Sequence, residues 1–289
     1  MTDPAEPAPV AVRLRELART RLVRIAIADS TDPRVRDARE RIIAERIGEP
    51  VCVESPRSHP DFEDIAYRYY QALRDDGVTE EGAVALAEKP AWFAAGLVAT
   101  GSADACLSGP RTAPQQLLLA ASRALAPHRK PRSLCASTLL MRGDTTVTLA
   151  DAHIVEAPGA EQLAAIAKHA CDLHRRLTGD PTSLAFLAAA ETGTAEQARE
   201  SFHRRWPGLD AVVAAADALM HDCDREPNVL IVPGRAAGAA ALGLLARLGG
   251  YRVLGPILHG VPAACVSLPP CATTEDVVDA AAIAAVLTG

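Results

Sequence analysis

Short runs of consecutive apolar residues alternate along this chain with longer runs in which apolar residues return every three or four positions. The first pattern belongs to strands buried on both faces, the second to helices with one face on a core. Residues 22–28 read as a strand and 33–46 as the helix after it, with Asp32 as N-cap and Pro33 at the first helical position. Next come a strand at 51–54, helices at 61–74, 79–87 and 91–100, a strand at 104–108 ending on Gly109-Pro110, and a helix at 113–126. Residues 133–140 and 145–150 read as strands of a hairpin.

The second half keeps the rhythm. A helix at 160–177 stops at Thr178-Gly179-Asp180-Pro181, and a strand follows at 183–189. Helices are expected at 194–205 and 210–221, a buried strand at 228–232, and a helix at 236–248. Short strands at 252–255 and 263–267 precede a closing helix at 273–287. This alternation predicts an α/β fold of two doubly wound lobes with mainly parallel sheets. The break is placed within 144–158, giving a lobe of 1–150 with 262–289 and a lobe of 151–261. Ligands of such folds bind beyond the carboxyl ends of the strands. The loops to inspect are therefore 29–33, 108–114, 190–194, 233–238, 255–260 and 267–274.

Composition narrows the picture. Aromatic residues are only 3% of the chain, so the core must be built from Ala, Val, Leu and Ile. A formal net charge of −6 gives no footprint for nucleic acid or an anionic membrane, and the local cluster His128, Arg129, Lys130 and Arg132 reads as a solvated loop. The first residues lack the apolar segment of a secretory signal, and the longest uncharged apolar stretch, 236–246, is too short to span a bilayer. The seven cysteines are odd in number and mostly sit in apolar runs, as reduced thiols in a cytoplasmic protein would. His169, Cys171 and His174 share helical spacing, as do His221 and Cys223, but neither set supplies four tetrahedral ligands. Both read as packing and surface, and no metal is expected.

Three segments could carry chemistry. Pro233-Gly234-Arg235-Ala236-Ala237-Gly238 follows a strand and opens a helix, where free N–H groups could hold a phosphate. A tight turn with a small residue for helix–sheet contact explains it as well. Gly255-Pro256-Ile257-Leu258-His259-Gly260 reads as a loop through which backbone could approach a ligand. Thr273-Thr274-Glu275-Asp276 fits a capping box, and Asp276 could instead serve as a general base. There is no GxSxG elbow, so an ordinary α/β serine hydrolase is not expected.

Several blocks, in order, resemble the phosphate acetyltransferase and phosphate butyryltransferase family. They are Asp61-Phe-Glu-Asp-Ile-Ala66, Tyr70-Gln-Ala-Leu-Arg74, Gly77-Val-Thr-Glu-Glu81, Trp92-Phe-Ala-Ala95, and the run from Leu97 through Gly101 and Asp104 to Ser108-Gly109. Ala150-Asp151 with 160–167, Glu226-Pro-Asn228-Val-Leu-Ile-Val-Pro233, the 255–260 block and Glu275-Asp276-Val-Val278 complete the likeness, from about Arg24 to the end. The resemblance implies two α/β lobes with a cleft between them, like those of isocitrate and isopropylmalate dehydrogenases, in a homodimer. It implies acyl transfer between coenzyme A and inorganic phosphate, with coenzyme A as a substrate and no bound cofactor; the expectation of no nucleic-acid or membrane partner comes from the charge of the chain. On the resemblance, Asp276 matches the base that deprotonates the thiol, Arg74 matches an arginine near the substrate, and Ser108 and Gly109 match a turn lining the cleft. Arg111, Gly255, Pro256, Gly260 and Ser267 are the further residues expected to bind substrate.

The chain also departs from the family pattern. Where the family has Ser-Arg-Gly-Cys before the closing helix, this chain has Ser267-Leu268-Pro269-Pro270-Cys271. The family arginine in the helix after the Ser-Gly turn is absent from Gln115-Gln116-Leu117-Leu118-Leu119, and its Ser-Phe-Ser stretch is Leu187-Ala188-Ala189-Ala190-Glu191. After Val232-Pro233 the family's acidic residue is Gly234, and a following asparagine is alanine. Charge-assisted phosphate contacts are strong, and one transition-state donor is worth about 3 kcal/mol. Arg111, Arg235 and Arg252 are the candidates to replace the missing charge. The expectation is a divergent phosphate acyltransferase, with apolar replacements favouring a larger acyl group. The alternatives are a catalytically degenerate relative that binds acyl-CoA or another small ligand, as a regulator or scaffold, and a different transferase on the same scaffold.

Overall fold

A computed structural model of the chain describes residues 8–126, 134–188, 193–215 and 226–288. They form two compact units. The first unit takes the described residues of Ala11–Lys130 and Leu254–Gly289, the second those of Met1–Val10 and Pro131–Val253. The divisions fall at 130 and 253 rather than at 150 and 261, because the hairpin after residue 134 pairs with strands of the second unit.

The first unit contains strands β1 (Arg24–Ile27), β2 (Glu49–Cys52), β3 (Ala105–Leu107), β9 (Arg252–His259, of which 254–259 belong here) and β10 (Ala264–Val266), in the order β2-β1-β3-β10-β9. β2, β1, β3 and β10 are parallel, and β9 runs antiparallel to β10 with Val266 opposite Ile257. Its helices are α1 (Pro9–Ala18, of which 11–18 belong here), α2 (Pro33–Ala44), α3 (Phe62–Leu73), α4 (Glu80–Ala87), α5 (Pro90–Thr100), α6 (Pro114–Leu125) and α10 (Thr274–Thr288). As expected, Asp32 caps α2, its side chain accepting from the Arg34 N–H at 2.9 Å. α10 is buried from Asp276 to Val286, and its alanines let it lie close against α2, β3 and β10. That helix is where an aromatic-poor core becomes visible. α1 was not anticipated from the sequence.

The second unit contains β4 (Cys135–Arg142), β5 (Thr145–Ala150), β6 (Leu184–Ala188), β7 (Ala211–Ala215) and β8 (Val229–Ile231), in the order β4-β5-β8-β6-β7. β4 and β5 form the expected antiparallel hairpin, and the remaining pairings are parallel. α7 (Ala160–Thr178) and α8 (Thr194–Arg205) pack on one another around Leu163, Ile166, Phe186 and Phe202, and α9 (Arg235–Arg247) lies against β5.

Two expectations are corrected. Residues 211–215 are a strand paired with β6, not the start of a helix, since Val212 and Val213 find a parallel partner there. Residues 255–259 belong to β9 rather than to a loop, because the strand continues through Gly255 and Pro256 to pair with β10. The basic cluster at 128–132, His221, Cys223 and residues 189–191 lie outside the described residues. No helix among the described residues is long and apolar enough to cross a membrane.

Candidate active site

At the carboxyl ends of β1, β3 and β10 three loops of the first unit are bonded together. β1 hands over through the Ala28 N–H, which donates to the Leu107 carbonyl at 2.9 Å. The chain then turns at Asp29, whose φ of 60° is a left-handed value that few residues other than glycine adopt. Its Oδ2 accepts from the Arg111 N–H at 3.0 Å and the Thr112 N–H at 2.8 Å, and its Oδ1 from the Thr112 hydroxyl at 2.9 Å. Gly109 is glycine for a steric reason. A Cβ there would stand 2.8 Å from the Asp29 Cβ and 3.0 Å from its Oδ2.

Ser108 and Ser267 close the gap between β3 and β10. Their hydroxyls are 2.5 Å apart and neither side chain reaches the surface. The Ser108 N–H donates to the Val266 carbonyl at 3.0 Å, and the Ser267 N–H to the Pro256 carbonyl at 2.9 Å. Both serines therefore knit strand ends together and present no hydroxyl to a ligand. Pro256 joins this cluster and Gly255 precedes it in β9. Gly260 does not join it: β9 is antiparallel, so Gly260 lies at the β9–β10 turn, about 10 Å of strand away from Ile257.

The third loop carries the acidic candidates. Arg34 donates to both oxygens of Asp32 at 3.0 Å and to the carbonyls of Pro270 at 3.0 Å and Ala272 at 2.8 Å, so α2 is stapled to the segment before α10. That guanidinium holds the Asp32 carboxyl below its usual range, against the opposing effect of burial. Asp276 is the third residue of α10. Its Oδ2 accepts from the Thr273 N–H and hydroxyl, each at 2.8 Å, and its own N–H donates to the Thr273 hydroxyl at 3.2 Å. This is the capping box the sequence suggested. Beside it, Glu275 meets Arg41 at 2.5 Å and also pairs with Arg15 of α1, which contacts the buried Asp279 at 2.6 Å. Burial alone would raise the Glu275 pKa, but its bonds to Arg41 and Arg15 outweigh it and the carboxyl is held low.

Among the candidate cations, Arg111 sits on the loop held by Asp29. It is exposed, forms no ion pair among the described residues, and is near enough to Asp32 to help depress that carboxyl. Arg74 lies elsewhere, in a short turn after α3, with a half-exposed side chain 3.9 Å from Asp75. The next residue but one, Asp76, pairs with Arg123 at 3.2 Å in the last turn of α6. That is some 14 Å of helix from the α6 start at the strand-end cluster. Leu268, standing where the resemblance expects an arginine, is fully buried.

The 233–238 segment belongs to the second unit and takes the steric explanation. A Cβ on Gly234 would stand 2.4 Å from the Glu156 carbonyl oxygen, and the Arg235 N–H already donates to the Val155 carbonyl at 3.0 Å. The Arg235 side chain pairs with Glu156 at 2.7 Å. Asp151, after β5, anchors this region by accepting from the N–H groups of His153, Ile154 and Val155.

Sequence reasoning missed the roles of Asp29, Arg34, Thr112, Arg15 and Glu275. The one readable hint was an acidic residue directly after a buried strand, since Asp tolerates left-handed backbone and bonds to nearby N–H groups. The bonds of Arg34 and Arg15 span more than two hundred residues and leave no local pattern.

Comparison with known proteins bears on the whole chain. Residues 10–203 and 208–285 match the family described as phosphate acetyl/butaryl transferase. A phosphate acetyltransferase of Paracoccus denitrificans is 26% identical, over 96% of this chain and 98% of its own length. One from Acetivibrio thermocellus is 27% identical, over 94% and 96%. The crystal structure of a phosphotransacetylase from Streptococcus pyogenes superimposes with a TM-score of 0.80 at 20% identity, covering 96% of this chain and 97% of that one. With a mainly parallel α/β fold and a family match over nearly its full length, the chain belongs to the phosphate acetyl/butaryl transferase family of acyltransferases.

Proposed function

We propose that the chain transfers an acyl group between coenzyme A and inorganic phosphate at the strand-end cluster of the first unit. The observation that carries this reading is the bonded path from the Arg111 backbone N–H to the Asp29 carboxylate, from the Asp29 carbonyl to the Asp32 N–H, and through Asp32 and Arg34 to the cap of α10 that bears Asp276. It gathers a cation and a carboxylate at the end of the sheet where α/β folds bind ligands. In the proposed reaction Asp276 takes the thiol proton of coenzyme A. The thiolate attacks the acyl phosphate carbonyl carbon, the bond from that carbon to the bridging oxygen breaks, and phosphate leaves with that oxygen and the electron pair. Arg111 holds the phosphate oxygens in place of the family arginine absent from this chain, and Arg74 is given no part in the step.

A test is coenzyme A-dependent cleavage of acyl phosphates of increasing chain length. Asp276→Asn keeps an acceptor for the Thr273 N–H but has no basic oxygen, so folding should survive while turnover falls at least a hundredfold, the order expected of a general base. Turnover equal to the parent would remove Asp276 from the mechanism.

One observation favours a second reading. Leu268 is buried in the run where the family carries arginine, so the position offers no charge to a phosphate. A protein that binds acyl-CoA without transferring the acyl group fits that replacement. Folded protein that binds acyl-CoA yet cleaves no acyl phosphate above background would select it.

A further inference from the structure

We infer that Asp29 is a positioning residue for the substrate phosphate, acting through the backbone of the loop that carries Arg111. The inference rests on the acyl-transfer reading above and extends it to a residue of the 29–33 loop that was given no role there. The loop 108–113 connects β3 to α6 and has no regular structure of its own to hold it. Three of its donors converge on one carboxylate: two backbone N–H groups on Oδ2 and a hydroxyl on Oδ1. The arrangement needs two unusual features at once. Asp29 must adopt a left-handed φ of 60°, and position 109 must lack the Cβ that would collide with it. Backbone held in a sparsely populated region by surrounding bonds is a mark of functional sites.

The carboxylate is required for its valence. An amide could keep the two N–H bonds on its oxygen but would reverse the third, its NH2 donating to the Thr112 hydroxyl, and it would lose the charge that strengthens all three. Among the described residues no lysine or arginine nitrogen lies within ion-pair distance of Asp29. Its charge is met by the three loop donors and felt by the nearby Arg34 guanidinium, which together offset its repulsion of an incoming phosphate. With the Arg111 backbone fixed, the guanidinium searches fewer positions when it meets the anion.

The experiment compares the full chain with Asp29→Asn and Thr112→Val, measuring KM for acyl phosphate, KM for coenzyme A, kcat, and calorimetric binding of inorganic phosphate. Thermal melts check folding. In Asp29→Asn, KM for acyl phosphate and Kd for phosphate should rise about tenfold, with KM for coenzyme A and kcat within twofold. Thr112→Val, which removes only the Oδ1 bond, should shift the same two constants by a smaller factor, and Thr112→Ser should restore them. If Asp29→Asn does not fold, the threonine pair decides by the same criterion. Equal change in both KM values, or no change from an active parent, overturns the role of Asp29 and leaves the acyl-transfer reading standing. A parent that binds phosphate without turnover loses the transfer reading, while the change in phosphate Kd still decides the positioning role. A folded parent that neither turns over nor binds phosphate overturns both.

Discussion

Gly109 shows how much one missing methyl group decides. The position was expected to bind substrate, and its place is at the cluster, but the structure gives it a prior duty to Asp29. Gly109→Ala should destabilise the protein by about 1–3 kcal/mol, the usual cost of overpacking. Chemical denaturation would measure it, and an unchanged midpoint would mean that Asp29 swings clear at no cost. The capping role of Asp276 was legible because a capping box is a four-residue pattern. The pairing of Ser108 with Ser267, 159 positions apart, was not, since nothing in either segment specifies the other.

At the scale of elements, the closing helix α10 depends on side chains from two others. Arg15 of α1 is mostly buried and contacts Asp279, which is fully buried, while Arg41 of α2 and Arg15 share Glu275. Removing the cation from a buried pair costs more than the pair contributed, because a desolvated charge remains. Arg15→Leu should therefore lose about 3–5 kcal/mol in a urea melt. The double variant Arg15→Leu with Asp279→Leu should recover much of that loss; additive losses would show that the two side chains are energetically independent. Apart from α1 the helices were readable from periodicity, whereas the strands at 211–215 and 255–259 were misread. Both are strands only because a neighbouring strand supplies partners for their backbone groups.

Across the whole molecule, the two units carry different acid-sensitive groups. In the second, burial lowers His153 and His174 to about 4, so the folded form disfavours their protonation. Their contribution is intact above the ordinary histidine pKa near 6.5 and drains away as pH falls toward 4. Burial raises the Asp151 pKa, which acts in the opposite direction only as the carboxylate range is approached. In the first unit Asp32, Asp104 and Glu275 are held low by arginines, so their contribution is present above the usual carboxylate range and is lost only below it. Trp92 lies in the first unit and Trp206 in the second, and the chain has two tryptophans. Trp92→Phe and Trp206→Phe variants followed by fluorescence should therefore show the second unit weakening between pH 6.5 and 4 while the first holds; superimposable pH curves would mean the units unfold as one.

β10 lies in the interior of the first unit's sheet, between β3 and β9, yet it is encoded after the entire stretch Pro131–Val253. A ribosome delivers this chain in order, so β1, β2 and β3 emerge with an open flank and wait while more than a hundred residues are made. The stretch encoded in the middle has all its own strands and can close first. A released chain ending at Val253 should then resist protease within 134–188, 193–215 and 226–253 and be cut within 11–126, the reverse of their order of synthesis. The residues proposed to do chemistry would be assembled last, when α10 brings Asp276 to loops that have long been waiting for it.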